Sequence, residues 1–473
     1  MHYKKTIIVG SSLVLSCLAS TQALSKVSNE KADQIGGTLT WSGAEVAGNA
    51  EGTIPKYSGG FDMSLIPAGW KSGMPYTNPF PDDKVLLTIN ATNVDQHLDK
   101  LAPGTVAMIK AYPDTYYLNI YQTRRTAGAT DAAKVDIRYN ASNAILAPGK
   151  SGVLNMHGST PFPIPNEGVE AVWNHVIRWR GGMRVVQNEA SFAPQVDGSF
   201  SKATRTVNFF FNPEFKKGGP RDDIIFFYTS KVNSPSRLTG EIVLLHETAN
   251  QSDHPRIAWK YYTGQRRVRR APDAGHDSPS ADADGLFVSD QVDGINGEVS
   301  ARFSWDLVEK KELYIPYNNF DMNQPSIKYK DLIKKAHIDP QWTRWELHRV
   351  WVVKGSLKEG QRHVYGTRIL FLDEDSWQVG VHDMYDVKGN LWRTMDMFTT
   401  VFWDANISWV QAYTTYDLLA KRYYIRGVIN EEQPYVFDQP GVDGIKGAII
   451  GALMLYLDFI NLFLLLLRIL GDR

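Results

Sequence analysis

Residues 347–403 read LHRVWVVKGSLKEGQRHVYGTRILFLDEDSWQVGVHDMYDVKGNLWRTMDMFTTVFW. The stretch contains four runs that are rich in β-branched and aromatic residues, which is typical of strands. Turn-forming residues separate the runs, as in Asp373-Glu374-Asp375 and Lys388-Gly389-Asn390. The close spacing leaves no room for helices between the strands, so we expect an antiparallel meander here.

The same pattern extends in both directions, beginning at about Arg205. The further strand-like segments are TVNFFFN, DIIFFYTSKV, GEIVLLHETA, AWKYYT, QRRVRRA, KKELYIPY and AYTTYDLLAKRYYIRG. Together they predict an α+β fold, mainly β, whose second half is one large and strongly curved antiparallel sheet.

Helices are expected mainly before this sheet. Residues 92–111 look helical, with a break at Ala102-Pro103. A stronger helix follows PFPIP, where Asn166 can cap the N-terminus and Gly181-Gly182 can end the helix. Its apolar residues recur at helical spacing and form one face, which predicts either a core helix or a lid on the sheet. They are Val169, Val172, Trp173, Val176 and Ile177.

Several strands are apolar on both faces, for example EIVLLHE and RVWVV. An antiparallel sheet with one solvated face alternates apolar and polar residues. Apolar residues on both faces therefore indicate either a two-layer core or a dry cavity that holds a ligand. For the cavity, the candidate lining residues are Trp173, Leu244, Trp259, Trp351 and Phe371.

A cluster of arginines, QRRVRRA, stands in one of these strands. Strand alternation places Arg267 and Arg269 on one face and Arg266 and Arg270 on the other. A guanidinium group binds carboxylates and phosphates well, so Arg267 and Arg269 are candidates for contact with a ligand head group. The alternative is a solvated edge strand protected by its charges.

The N-terminus predicts export. Residues 1–23 combine Lys4-Lys5, an apolar stretch and small residues before position 24, as in a signal peptide. Cys17 offers a competing lipoprotein interpretation, in which it would be acylated. Residues 24–91 are rich in Gly, Pro, Ser and Asn, and predict an extended, loop-rich arm before a folded body at 92–440.

The C-terminal tail, residues 441–473, is strongly apolar. Residues 448–467 read AIIGALMLYLDFINLFLLLL, which is long enough to cross a bilayer as a helix. Asp458 and Asn461 oppose insertion. The tail is therefore a candidate membrane helix, with a core or interfacial helix as the alternative.

The composition excludes several classes of function. The 51 basic and 51 acidic residues balance, which argues against a general nucleic-acid binder. A single cysteine excludes an intramolecular disulfide. HETAN lacks the second histidine of a zinc protease, and G-x-S-x-G does not occur. We therefore assign no catalytic residue, metal ligand or cofactor, and expect a protein that is not an enzyme.

Many segments resemble the domain-of-unknown-function family one-three-two-nine, over about Gln34 to Asn430. They include IGGTLTWSGAEVAGNAEGTIPKYSGG, PFPIPNEGVEAVWNHVIRWRG, RLTGEIVLLHETAN and HRVWVVKGSLKEGQRHVYGTRILFLDEDSWQ. YYTGQRRVRRAP and RILFLDEDSWQVGVHDMYDVKGNLWR are also similar to the outer-membrane lipoprotein-sorting proteins of the LolA and LolB type. That resemblance implies a half-open β-barrel with helices on its concave face, whose hollow holds acyl chains.

The resemblance also implies a setting in the cell. Relatives of this kind work beside RND (MmpL-like) transporters and outer-membrane proteins, so we expect a periplasmic carrier or adaptor for a lipid or other apolar molecule. Two alternatives stay open. One is an envelope scaffold that binds a membrane partner by adding a strand at a sheet edge. The other is a lipid or glycan hydrolase.

Overall fold

The computed structural model describes residues 27–181, 184–211, 224–251, 253–271 and 276–438. The predicted signal peptide with Cys17 and the predicted tail helix at 448–467 lie outside the described residues. Within the described ranges, no helix has the length and apolar character needed to cross a bilayer.

Strands dominate the described chain. In chain order they are β1 (Leu87–Ile89), β2 (Leu118–Ile120), β3 (Ile145–Leu146), β4 (Val153–Leu154), β5 (Arg184–Phe192), β6 (Lys202–Phe211), β7 (Ile224–Ser234), β8 (Ile242–Thr248), β9 (Ile257–Tyr262), β10 (Arg267–Arg270), β11 (Phe303–Pro316), β12 (Trp345–Leu357), β13 (Thr367–Asp373), β14 (Val379–Tyr385), β15 (Leu391–Phe402), β16 (Ile407–Asp417), β17 (Arg422–Val428) and β18 (Val436–Asp438).

The helices are few and short. They are α1 (Asn29–Ala32), α2 (Pro103–Ala111), α3 (Asp131–Asn143), α4 (Gly168–Val176), α5 (Val299–Arg302) and α6 (Tyr329–Leu332), with several single 3₁₀ turns between elements.

One large mixed sheet contains all of the strands except β3 and β4, which form a separate pair. Its order is β1-β2-β12-β13-β14-β15-β16-β17-β5-β6-β7-β8-β9-β10, with β11 also paired to β12 and β18 to β5. Every pairing is antiparallel except the one between β2 and β12, which consists of Ile120 opposite Trp345. Among the described strands, the sheet ends at β1 and β10, so these strands do not form a closed barrel. The predicted class, mainly β with one large sheet, is confirmed.

Each face of the sheet carries its own core. Because neighbouring residues of a strand point to opposite faces, Val185 and Val207 lie on the side of α4, whereas Ala190 and Ile425 lie on the side of α2. We call these sides the α4 face and the α2 face. The α4 face packs against α4 and the loops before β11, and the α2 face packs against residues of the 89–120 and 317–345 segments.

Helix α4 is a core helix rather than a lid. Trp173 is fully buried within the α4-face core, as are the apolar residues that the periodicity selected. The predicted cap is wrong, because Glu167 is the N-cap residue and the backbone N–H of Asn166 donates to Glu170. The helix ends at Val176, one turn before Gly181, because Ile177 already leaves the helical conformation.

Other elements differ from the predictions in type or number. The predicted helix after Thr92 consists of two 3₁₀ turns, Val94–Gln96 and Leu98–Lys100, while the helix after Pro103 forms as expected. The segment AYTTYDLLAKRYYIRG forms two strands, β16 and β17, rather than one. Helix α3 and strand β5 were not predicted.

The predicted arm at 24–91 has little regular structure between α1 and β1, where one 3₁₀ turn occurs at Met63–Leu65. It lies against the body, since Phe61, Tyr76 and Phe80 belong to the α4-face core. Strand β1 begins at Leu87, inside the predicted arm.

Candidate ligand-binding surface

Two of the predicted ligand-binding residues lie side by side on the α2 face. Leu244 on β8 is directly opposite Trp259 on β9, and Trp259 is directly opposite Arg270 on β10. Thr229 on β7 completes this row. Directly opposed residues of antiparallel strands point to the same side and lie within contact distance of each other.

Rows on either side of this one carry more apolar and aromatic side chains. One row contains Phe227, His246 and Ile257, and its rings pack edge to face, with centroids 4.7 Å apart for Phe227 and His246. The ring of His246 is also 5.0 Å from that of Trp259. The other row runs from Lys231 through three half-buried apolar residues. These three are Ile242, Tyr261 and Val268.

This part of the sheet is partly exposed. We call Phe227, Ile242, Leu244, Ile257, Trp259, Tyr261 and Val268 the apolar patch; all seven are half-buried. None of them belongs to a hydrophobic core among the described residues. The residues that cover the α2 face over β12–β17 and β5 therefore do not extend over β7–β10.

The three arginines of β10 divide between the faces as strand alternation predicts, whereas Arg266 lies in the turn before the strand and not within it. Arg267 is opposite Tyr262 and Arg269 is opposite Lys260, so both point to the α4 face. Arg270 points to the α2 face, beside Trp259. The structure therefore places Arg270, rather than the predicted Arg267 and Arg269, next to the apolar patch.

The remaining predicted lining residues are not part of this surface. Trp173 is buried in α4, and its indole N–H donates to the carbonyl of Lys150 at 3.2 Å. Trp351 lies on the α4 face between Trp377 and the ammonium group of Lys310. Phe371 is buried in the opposite, α2-face core. The structure does not bring the seven predicted residues together.

Two cavities between described residues are small. One has a volume of about 10 Å³ and another of about 90 Å³. Ligand pockets typically measure roughly 300–1,000 Å³. None of the predicted lining residues borders either cavity. Neither of these two cavities has the volume of a typical ligand pocket.

A buried ionic cluster lies at another end of the α2 face. It joins the start of β12 to the turn after β13, and its centre is His348, whose Nε2 lies 3.3 Å from the carboxylate of Glu346. The guanidinium of Arg125 donates to both oxygens of Asp375, at 2.9 and 2.7 Å. Burial, together with the nearby charge of Asp375, raises the pKa of Asp373 to about 6 even though His348 opposes the shift.

The imidazole of His348 responds to this setting. Burial alone would lower its pKa, but the carboxylates of Glu346 and Asp373 outweigh burial, so its pKa is above the ordinary value. The sequence does not reveal this cluster, because Glu346 and His348 are far along the chain from the acidic turn Asp373-Glu374-Asp375. The signal that could have found it is the acidic turn itself, which places three carboxylates beside a buried strand.

Two more buried carboxyls lie beneath α2. Asp383 accepts hydrogen bonds from the Gly104 backbone N–H and the Thr394 hydroxyl, at 2.8 and 2.7 Å. Asp396 accepts one from the Tyr116 hydroxyl at 2.9 Å. Burial without a basic partner raises the pKa of Asp383 to about 6 and that of Asp396 to about 7.

Comparison with known proteins identifies the family. The family model described as "Protein of unknown function (DUF1329)" matches residues 88–445. The chain belongs to this family. A relative from Pseudomonas aeruginosa, named only as an uncharacterized protein, is 43% identical over 430 residues, which cover 90% of this chain and 93% of the relative. The family membership predicted from the sequence is thus confirmed.

Similar solved structures include another member of the DUF1329 family, from Desulfovibrio piger, with a TM-score of 0.37, 10% identity, and coverage of 54% of this chain and 86% of the other. A domain named for outer membrane lipoprotein sorting, from Vibrio parahaemolyticus, has a TM-score of 0.40 and 11% identity, and the match covers 59% of this chain and 97% of the other. A LolA superfamily protein from Nitrosomonas europaea has a TM-score of 0.33 and 11% identity, and the match covers 57% of this chain and 92% of the other.

Proposed function

We propose that this DUF1329 protein is a carrier or adaptor that binds a lipid or another apolar molecule on the apolar patch of β7–β10. The observation that carries the proposal is the half-buried row formed by Leu244 and Trp259, on the part of the α2 face that no described core covers. Contiguous exposed apolar surface is uncommon on soluble proteins and usually marks a binding site.

The size of the patch favours a small apolar ligand over a stable protein partner. Four strands about 4.8 Å apart and three rows about 6.7 Å apart give a footprint of roughly 190 Å². A stable protein interface buries about 800 Å² on each partner. The footprint therefore suits a single acyl chain or a molecule of similar size.

The same footprint sets the expected affinity. Burying roughly 190 Å² on each side at about 25 cal/mol per Å² gives roughly 9 to 10 kcal/mol. Association costs at least about 4 kcal/mol, which leaves a dissociation constant of about 0.1 mM. Binding of this strength is suited to a protein that takes up and releases its cargo.

Cationic side chains adjoin the patch. Arg270 ends the row of Leu244 and Trp259, and Lys231 ends the row of Ile242; both are exposed. Their positions suit the acidic head group of a lipid whose chain lies across the apolar residues.

The finer features of the proposal rest on the family resemblance. These are a half-open barrel with helices on its concave face, a periplasmic location, and work with an RND (MmpL-like) transporter and an outer-membrane protein. The scaffold alternative would use a sheet edge, but the edge strand β10 carries Arg267, Arg269 and Arg270, and charges of this kind hinder strand addition.

The test is titration of the purified protein with cis-parinaric acid, a fluorescent fatty acid, together with mass spectrometry of solvent extracts. We expect Leu244→Ser and Trp259→Ser each to weaken probe binding at least about tenfold, since each removes about 1.5–3 kcal/mol of apolar burial and about 1.4 kcal/mol is a factor of ten. Trp351→Ser, a half-buried tryptophan on the other face, is the matched control and should leave binding unchanged. Equal effects of Trp259→Ser and Trp351→Ser would contradict the proposed location.

A second comparison tests the head-group contact. Arg270→Ser should weaken binding of the fatty acid but not of its methyl ester, because only the free carboxylate attracts a guanidinium. Arg267→Ser removes the same charge from the opposite face and should have little effect. A protein that takes up no probe and carries no apolar compound in its extracts would instead favour the scaffold alternative.

A further inference from the structure

We propose that His348, Asp373 and Asp375 form a binding site for a divalent transition-metal ion of the zinc class. In the described part of the chain, these three residues are the group of histidine and carboxylate side chains whose donor atoms converge, all within 4.8 Å of one another. One imidazole nitrogen and two carboxylate oxygens are a donor set that zinc accepts, with a fourth position left for water.

The spacing of the donors fits a shared ion better than a hydrogen bond. Nδ1 of His348 and Oδ1 of Asp373 are 3.6 Å apart. That distance is too long for a hydrogen bond. Two ligands bound tetrahedrally to one zinc ion at about 2.0–2.1 Å lie about 3.4 Å from each other, so a small movement would bring both into position.

One oxygen of Asp373 faces His348 at this distance and has no hydrogen-bond donor among the described residues. Oδ1 of Asp373 is buried, since the residue is only 1% exposed, and it accepts no hydrogen bond from the part of the chain that the structure describes. The other oxygen, Oδ2, accepts three, from the backbone N–H and the hydroxyl of Ser376 and from the hydroxyl of Tyr317. A buried carboxylate oxygen left without a donor is costly, and a bound cation would remove that cost.

Each of the three ligands is held by an outer partner. Nε2 of His348 faces Glu346, which is the carboxylate–histidine–metal arrangement that orients a ligand imidazole. Ser376 and Tyr317 hold Asp373, and Arg125 holds Asp375. Because a carboxylate oxygen has two lone pairs, Asp375 can bind Arg125 and a metal ion together.

The cavity of about 90 Å³ borders residues that hold Glu346, the outer partner of His348. Asn318 and Arg344 line this cavity, and both donate to Oε1 of Glu346, at 3.0 and 2.6 Å. Glu346 therefore stands between the cavity and His348.

The experiment uses the full-length protein, freed of metal by dialysis against a chelator and titrated with Zn²⁺ by calorimetry. We expect one equivalent to bind, and Co²⁺ in its place to give visible absorption bands typical of four-coordinate nitrogen and oxygen ligation. Asp373→Asn keeps an acceptor for Ser376 but replaces the free oxygen, and should weaken Zn²⁺ binding at least 100-fold. Glu346→Gln should weaken it about 10- to 100-fold.

Asp396→Asn is the matched control, since Asp396 is another buried carboxyl on the α2 face with an unpartnered Oδ1. It should leave Zn²⁺ affinity within a factor of two. Circular dichroism of each variant shows whether the fold is retained, and the Co²⁺ spectrum of the unaltered protein supports or opposes the site without any variant. Failure of the unaltered protein to bind Zn²⁺ at 0.1 mM, or equal affinity for Asp373→Asn, would overturn the proposal.

Discussion

Replacing Asp396 by Asn should stabilise the protein at neutral pH. The carboxyl of Asp396 is 1% exposed and, within the described ranges, accepts a single hydrogen bond, from Tyr116, and has no basic partner. Burial, with a further contribution from the charge of Asp383, raises its pKa to about 7, although the Tyr116 hydrogen bond opposes the shift. An amide keeps an oxygen acceptor for the Tyr116 hydroxyl but carries no charge.

The magnitude follows from the difference in pKa between the unfolded and folded states. Asp titrates near 3.8 when unfolded and at about 7 here, which corresponds to about 4 kcal/mol at about 1.4 kcal/mol per unit. Below about pH 4 the Asp396 carboxyl is protonated in both the folded and the unfolded state, so its burial does not lower the free energy of unfolding through its charge. Between pH 4 and 7 the folded state binds the extra proton, so the free energy of unfolding falls as pH rises and levels off above pH 7.

The assay is urea unfolding followed by tryptophan fluorescence at pH 5, 6, 7 and 8. The free energy of unfolding of Asp396→Asn, relative to that of the parent protein, should increase by up to about 1.4 kcal/mol per pH unit until pH 7. Asp293→Asn is the control of opposite sign, because Arg178 and Arg180 outweigh burial and lower the pKa of Asp293 to about 2. The free energy of unfolding of Asp293→Asn should be about 3–5 kcal/mol lower than that of the parent protein at all four pH values. A difference between parent and Asp396→Asn that is the same at pH 5 and pH 8 would refute the reasoning.

Two further substitutions test the cores. Trp173→Ala should lower the free energy of unfolding by about 3–5 kcal/mol, measured in urea, and leave the affinity for cis-parinaric acid unchanged, because Trp173 is a buried core residue away from the patch. Gly355→Ala should cost about 1–3 kcal/mol, since an added Cβ would lie 2.5 Å from the Trp305 ring. Gly264→Ala, where nothing lies within 4 Å of the added Cβ, should be close to neutral in the same assay.

The strands of the large sheet could be predicted because their apolar residues are continuous and their turns carry recognisable residues. The hairpin between β16 and β17 was missed because DLLAK contains no glycine, proline or asparagine. Its turn is held instead by Asp417, whose Oδ1 accepts the backbone N–H groups of Leu419 and Ala420 at 3.1 and 2.8 Å. Aspartate turns of this type have a weaker sequence signal than glycine turns.

Strand β5 and helix α3 were missed for a different reason. Both bury polar groups, which makes their patterns look solvated. Glu189 on β5 is buried because Arg426 donates to it at 2.7 Å. On α3 the buried stripe includes Asp136 and Asn140, and Asn140 donates to backbone carbonyls of a neighbouring loop. Partners that justify such burial come from distant parts of the chain and cannot be read from local pattern.

For the candidate ligand-binding residues, the sequence could not predict which side chains share a face of the sheet. Alternation correctly separated Arg267 and Arg269 from Arg270, but it could not say which face held Leu244 and Trp259. That choice depends on the register between β9 and β10, which places Arg270 opposite Trp259. A shift of one residue would have reversed it.

Apolar residues on both faces of a strand occur in two different situations: in one, both faces are covered by a core, and in the other, one face leaves apolar surface uncovered. In β12, Val352 lies in the α2-face core and Val353 in the α4-face core, so both faces are covered and no hollow is needed. In β8, Leu245 is in the α4-face core while Leu244 is half-exposed and in no core. Only the second case leaves apolar surface for a ligand, which is why the carrier proposal rests on β7–β10 rather than on the longer, more hydrophobic strands that follow.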